Sequence, residues 1–205
     1  IARRLMYWQV YMHKTVLSSE SLLVKVLRRA REVSFEGTEI FTTPALKFFL
    51  RNNIGPADLG PAGLFSPGII GSNFTRLDDT DILSSAKYWT DSSDPVLSDL
   101  SRRLMTRNLL SVELQNEPFR AGRIDELSEA AVNYLRISPD LAGYYVFSGT
   151  VSNRTYAPDS PEVMILLKNG TIADITEVSD MFEHRLLSER ITKYYLCYPK
   201  EIKQL

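Results

Sequence analysis

The sequence has little of what marks secreted, membrane-spanning or nucleic-acid-binding proteins. Its single cysteine, Cys197, cannot form an internal disulfide, which favours a reducing, cytoplasmic compartment. No apolar run approaches the roughly 18 residues of a membrane-spanning helix. The net charge of −1 argues against a nucleic-acid-binding surface, which would be basic. We therefore expect no membrane as a partner, and the charge disfavours nucleic acid.

Common catalytic signatures are also missing. No glycine-rich loop has the spacing of a P-loop or a Rossmann turn. Ser98 and Ser101 have no histidine near them in the sequence, so nothing supports a nucleophilic serine. What is present is the composition of a globular protein, with 44% hydrophobic and 24% charged residues.

The first half of the chain carries mainly helical signals. An apolar helical period predicts one unusually long helix over residues 3–32. Capping residues and prolines predict further helix starts at Thr43-Pro44, at Asp78 and at Asp94-Pro95. Residues 55–73 are rich in glycine and proline and predict a loop.

The character of the sequence changes near residue 110. Beyond it, apolar patterns predict a helix over residues 124–137 and a short helix over residues 179–187. They predict strands over residues 110–114, 144–151, 163–167, 171–175 and 191–198, with a hairpin turn at Lys168-Asn169-Gly170. We therefore predict a mainly α fold with an α+β C-terminal lobe, divided into domains 1–109 and 110–205, the lobe holding a small, mostly antiparallel sheet.

Three carboxylates stand close together at Asp78, Asp79 and Asp81. They could be metal ligands, but acidic residues in the first turn of a helix more often cap it and complement its dipole. We interpret them as a helix start.

The opening segment places polar side chains along one face of a helix that is otherwise apolar. At roughly 100° per residue, Arg3, Tyr7, Tyr11 and Lys14 fall within about 80° of one another. Such a stripe could simply keep its polar ends in water at the edge of a core. Alternatively it could bind a ligand that carries phosphate and a ring, through guanidinium and phenol groups.

The order of motifs resembles that of HD-domain phosphohydrolases. Arg3-x-x-x-Tyr7-x-x-x-Tyr11-x-His13-Lys14 is similar to the long helix that follows the metal centre in the dNTP triphosphohydrolase, dGTPase-like branch. Further phrases recur in the same order, namely Leu77 to Ile82, Ser93 to Leu97, Arg103 to Leu110 and Lys193 to Lys200. This resemblance implies a helical HD-type half over residues 1–109.

The resemblance implies two groups of binding residues. Arg3, Tyr7 and Tyr11 match substrate-facing positions, Arg3 for the triphosphate and the tyrosines for sugar or base. His13, Lys14 and Arg107 match residues that bind a regulatory nucleotide, Arg107 from a neighbouring subunit. Ser111 replaces a lysine of that regulatory site, and Arg107 could equally be a cation that complements a helix C-terminus.

The metal ligands that the resemblance implies are missing from the sequence. The family binds its divalent metal (Mn, Mg, Fe or Zn) through a His, a His-Asp pair and a later Asp, upstream of the opening helix. This chain has two histidines, His13 and His184, and neither is followed by Asp. We therefore expect no metal and no catalytic residues in this chain, which would be an inactive C-terminal fragment of a longer enzyme.

Three functions follow as hypotheses. In the first, the parent enzyme hydrolyses deoxynucleoside triphosphates to deoxynucleoside and triphosphate. In the second, the chain is a non-catalytic oligomerisation or nucleotide-binding lobe, and a homo-oligomer is expected. The third is single-stranded nucleic-acid binding through the Arg/Tyr stripe.

Overall fold

The computed structural model describes residues 6, 9–10, 12–59, 67–153, 164–174 and 191–204. The helices within these residues are α1 (Lys14–Phe35), α2 (Pro44–Arg51), α3 (Pro67–Phe74), α4 (Asp79–Trp89), α5 (Pro95–Met105) and α6 (Ala121–Leu135). Short 3-10 helices lie at Pro56–Leu59, Pro139–Tyr144 and Lys200–Gln204. None of the helices in the described ranges is long and apolar enough to cross a membrane.

The described strands are antiparallel. Strands β1 (Ser111–Gln115) and β2 (Phe147–Asn153) flank β5 (Ile191–Tyr198) in the order β1-β5-β2. Strands β3 (Met164–Leu166) and β4 (Ile172–Asp174) form a separate hairpin. The fold is thus mostly helical with a small antiparallel sheet, as the composition of the two halves predicts.

One hydrophobic core joins the helices to the sheet. Leu22, Val26 and Ala30 line the buried face of α1 and are 0% exposed. They belong to the same buried cluster as Trp89 of α4 and Leu196 of β5. The core therefore includes residues on both sides of residue 110, and the division into domains 1–109 and 110–205 stays a prediction.

Helix α1 begins later than predicted, because the backbone turns at His13. His13 has the extended backbone of an N-cap (φ −66°, ψ 140°), and its Nδ1 accepts a hydrogen bond from the Thr15 amide at 3.3 Å. Residues 6 and 9–10 are helical but belong to a separate segment. The prediction of one continuous helix over residues 3–32 is therefore wrong, and Lys14 cannot be placed on the same stripe as Arg3 by counting turns.

The predicted loop over residues 55–73 is wrong in part. It contains the 3-10 helix Pro56–Leu59, and α3 begins at Pro67. Proline is compatible with the first turn of a helix, since that turn needs no N–H donor there. The glycines that suggested a loop, Gly68 and Gly71, lie inside this short helix.

The three predicted helix starts are confirmed, and two of the three predicted caps form; Thr43, before α2, makes no side-chain cap hydrogen bond. Asp78 caps α4, accepting hydrogen bonds from the amides of Thr80 (2.7 Å) and Asp81 (3.2 Å), while Asp81 accepts one from the Asp78 amide at 2.9 Å. This reciprocal capping box explains the carboxylates at this position as structural groups. Asp94 caps α5 through the Leu97 amide at 2.7 Å, and α2 begins at Pro44.

The elements of the second half follow the predicted order. Strand β5 has the predicted bounds, the Lys168-Asn169-Gly170 turn joins β3 to β4, and α6 starts at Ala121, earlier than predicted. The predicted strand over 144–151 begins only at Phe147, because the 3-10 helix ends at Tyr144. The predicted helix over 179–187 lies outside the described residues.

Two arginines with little exposed surface form ion pairs near the two ends of α5. The Arg29 guanidinium of α1 donates to Asp94 Oδ1 at 3.1 Å and Oδ2 at 2.6 Å. Arg103, 5% exposed, donates to Asp99 at 2.7 Å and to Glu201 at 3.0 Å, which ties α5 to the C-terminal 3-10 helix.

Candidate functional site

The expected substrate-binding residues cannot be located in the structure. Arg3, Tyr7 and Tyr11 lie outside the described residues. Their roles toward a nucleotide therefore stay predictions from the resemblance.

The expected regulatory residues His13 and Lys14 lie at the N-terminus of α1. Both are exposed, His13 as the N-cap and Lys14 as the first helical residue. The free N–H groups of a helix N-terminus attract anions, and the Lys14 ammonium adds to this positive potential.

Arg107 follows the end of α5, which lies near the start of α1. The Ser18 hydroxyl of α1 donates to the Leu110 carbonyl at 2.9 Å, in a buried contact. Lys14 is one turn before Ser18 on the same face, and Arg107 is three residues before Leu110. Because Arg29 contacts Asp94 at the other end of α5, helices α1 and α5 run antiparallel, with the start of α1 beside the end of α5.

Arg107 is exposed and has an unusual backbone. Its φ of 57° lies in the left-handed region, directly after the last turn of α5. This conformation is rare for a residue with a Cβ and ends the helix, so the interpretation of Arg107 as a helix-terminal cation agrees with its position. Lys14 and Arg107 are both exposed cations of the kind that could contact a phosphate.

A cavity that the sequence does not predict lies between α1 and the 3-10 helix Pro139–Tyr144. Its volume is about 400 Å³, in the range of small-molecule sites. We call it the Lys25 cavity; it is lined by Lys25, Arg28, Glu32, Asp140, Gly143, Tyr144, Val146 and Phe147. Residues 25, 28 and 32 share one face of α1 through their i, i+3, i+7 spacing. That spacing was visible in the sequence, but their partners more than a hundred residues later were not.

Lys25 is the central charge of this cavity. Its ammonium donates to the Gly143 carbonyl at 2.6 Å and lies 4.4 Å from the centre of the Phe147 ring. Burial, followed by the nearby Arg28 cation, lowers the pKa of Lys25. Burial also raises the pKa of Tyr144, and the Glu32 carboxylate adds to that shift.

The described residues do not form a metal site. No group of three or more His, Cys, Asp or Glu side chains in the described ranges is arranged to hold an ion. Cys197 is buried, and desolvation raises the pKa of its thiol to about 12, so the thiolate that metals prefer is disfavoured.

The fold places the chain in a broad class, that of mostly helical proteins in which a small antiparallel sheet packs against the helices. A phosphohydrolase of Bacteroides thetaiotaomicron has this fold; its crystal structure matches with a TM-score of 0.82 and 41% identity, over 96% of this chain and 48% of that chain. The uncharacterized Bacillus subtilis protein YwfO is 28% identical over 209 residues, which cover 98% of this chain and 44% of YwfO. No protein-family model matches the chain.

The chain thus spans about half the length of both proteins. Identity of 41% with a matching fold makes the two architectures equivalent over this half. Residues that act in the remaining half have no counterpart in the sequence described here.

Proposed function

We propose that the chain is part of an HD-type phosphohydrolase that hydrolyses deoxynucleoside triphosphates to deoxynucleoside and triphosphate. The observation that carries the proposal is the 41% identity to a phosphohydrolase over 96% of the chain, with a TM-score of 0.82. The ordered motifs from Arg3 to Lys14 and from Arg103 to Leu110 support the dNTP branch by resemblance.

In this proposal, the opening segment supplies the substrate contacts. A guanidinium at Arg3 offsets phosphate charge through paired hydrogen bonds, and the phenols of Tyr7 and Tyr11 pack against sugar or base. We assign His13, Lys14 and Arg107 to a separate, regulatory nucleotide site, as the resemblance implies; His13 and Lys14 lie at the start of α1, and Arg107 follows the end of α5.

Within the described ranges, no cluster of ligands fits the divalent metal of the family. We assign the metal ligands to the half of the relatives that this chain does not span. When bound, the metal supplies the Lewis acid and the activated water. The 205-residue chain alone is expected to be inactive.

The test is a rate measurement on the full-length protein that contains this chain, with dNTPs and Mn²⁺ or Mg²⁺. Arg3→Ala is expected to lower kcat/KM by tenfold or more, because a charged hydrogen bond is worth about 1.5–3 kcal/mol. The matched control is Arg51→Ala, which removes an exposed guanidinium 3.7 Å from Glu39 and should leave the rate unchanged. Equal rates for wild type and Arg3→Ala would contradict the assigned substrate contact.

A homo-oligomer is the second part of the proposal. If Arg107 acts at a nucleotide bound by a neighbouring subunit, the full-length protein must associate. Light scattering that shows a monomer at all accessible concentrations, with and without dNTP, would refute it.

A further inference from the structure

The charges around the Lys25 cavity are unequally compensated. Of the two carboxylates in the lining, Glu32 receives the Arg29 guanidinium at 3.1 Å, and Asp140 lies in the first turn of the 3-10 helix. Arg28, in contrast, forms no ion pair with any residue in the described part of the chain. The α1 wall therefore presents two cations, Lys25 and Arg28, that form no ion pair with a carboxylate in the described part of the chain.

Lys25 also keeps unused donors. An ammonium has three N–H groups, and the described contacts of Lys25 use one of them, on the neutral Gly143 carbonyl at 2.6 Å. Phe147 covers it at 4.4 Å, which excludes water from one side and strengthens its interaction with an anion. Lys25 and Arg28 are one helical turn apart, so one oxyanion can reach both.

Tyr144 lines the opposite wall of the cavity, at the end of the 3-10 helix, and is 7% exposed. Its hydroxyl is buried beside the Glu32 carboxylate, so it faces that group and not the open part of the cavity.

We propose that the Lys25 cavity binds a small organic oxyanion, with its carboxylate or phosphate at Lys25 and Arg28 and its apolar body against Val146 and Phe147. The cavity lining includes none of the residues assigned to the substrate or regulatory sites, and the inference does not rest on the proposed function.

The test is a titration followed by methyl NMR on valine-labelled protein. Phenyl phosphate, benzoate and benzylamine serve as probes of the same ring size with different charge. The Val146 methyl signals are expected to shift with an anionic probe and not with benzylamine, while those of Val96, which is 0% exposed in the core, stay in place. A response to phenyl phosphate alone assigns phosphate as the group bound, and a response to benzoate alone assigns carboxylate.

The matched variants are Arg28→Gln and Arg31→Gln, both on α1. Arg28→Gln is expected to raise the Kd of the anionic probe about tenfold or more, because the substitution removes one charged partner. Arg31 donates instead to Asn53 at 2.7 Å outside the cavity, so Arg31→Gln should bind as wild type does. Circular dichroism checks that both variants are folded. Unchanged affinity in Arg28→Gln, an equal response to benzylamine, or no response of Val146 to either anion would each overturn the proposal.

Discussion

The Asp94 carboxylate stabilises the fold in two ways, so its removal should cost more than that of any ordinary surface acid. It caps α5 through the Leu97 amide at 2.7 Å and pairs with Arg29 at 2.6 and 3.1 Å. The Asp94 and Arg29 side chains are only 14% and 11% exposed. Breaking such a pair from one side costs about 3 kcal/mol, and losing a cap costs about 1 kcal/mol. Asp94→Ala should therefore lower the free energy of unfolding by about 4 kcal/mol.

Urea unfolding, followed by the fluorescence of the buried Trp89, measures this loss. The free energy of unfolding should fall less in Asp94→Asn than in Asp94→Ala, because asparagine still caps a helix. Asp91→Ala, an exposed control three residues earlier, should stay within about 0.5 kcal/mol of wild type. If Asp94→Ala matched Asp91→Ala, the ion pair would not stabilise the fold as argued.

The same pair predicts a pH dependence. Burial alone would raise the pKa of Asp94, but the hydrogen bonds from Arg29 and the Leu97 amide outweigh it, so the pKa is lowered. A lowered folded-state pKa means that this stability is present above the unfolded value of about 3.9 and is lost as the pH falls through the folded value. Below about pH 4, the free energy of unfolding of wild type should therefore approach that of Asp94→Asn.

Three further predictions concern single positions. Gly149→Ala should lower the free energy of unfolding in urea by about 1–3 kcal/mol, because the added Cβ would lie 2.5 Å from the Tyr195 hydroxyl. Adding Tyr195→Leu to this variant should recover part of the lost stability. Arg107→Gly should raise the midpoint of thermal unfolding, because glycine adopts a φ of 57° without strain, and a lowered midpoint would contradict this. Asp78→Ala should cost about 1 kcal/mol through the lost cap, whereas Asp79→Ala, next to it, should cost measurably less.

The parts of the fold that local chemistry determines were predictable. The capping box of Asp78 with Asp81 and the cap of Asp94 on the Leu97 amide each join residues only three positions apart. Strand β5 and the turn at Lys168-Asn169-Gly170 likewise follow from short patterns.

The parts that depend on distant contacts were not predictable. The apolar period continues through His13 without interruption, so the pattern alone could not show that the backbone turns there. The Lys25 cavity needs Gly143, 118 residues away from Lys25, and no spacing in the sequence indicates that contact. The resemblance proposes the residues of a nucleotide site, but the described structure tests only the positions of His13, Lys14 and Arg107.

The most direct test of the proposed function is to identify the product. The full-length protein is incubated with a dNTP and Mn²⁺, and phosphorus NMR identifies the released species. The account predicts inorganic triphosphate and a deoxynucleoside, and no turnover by the 205-residue chain alone under the same conditions. Release of monophosphate or pyrophosphate by the full-length protein, or turnover by the chain alone, would contradict it.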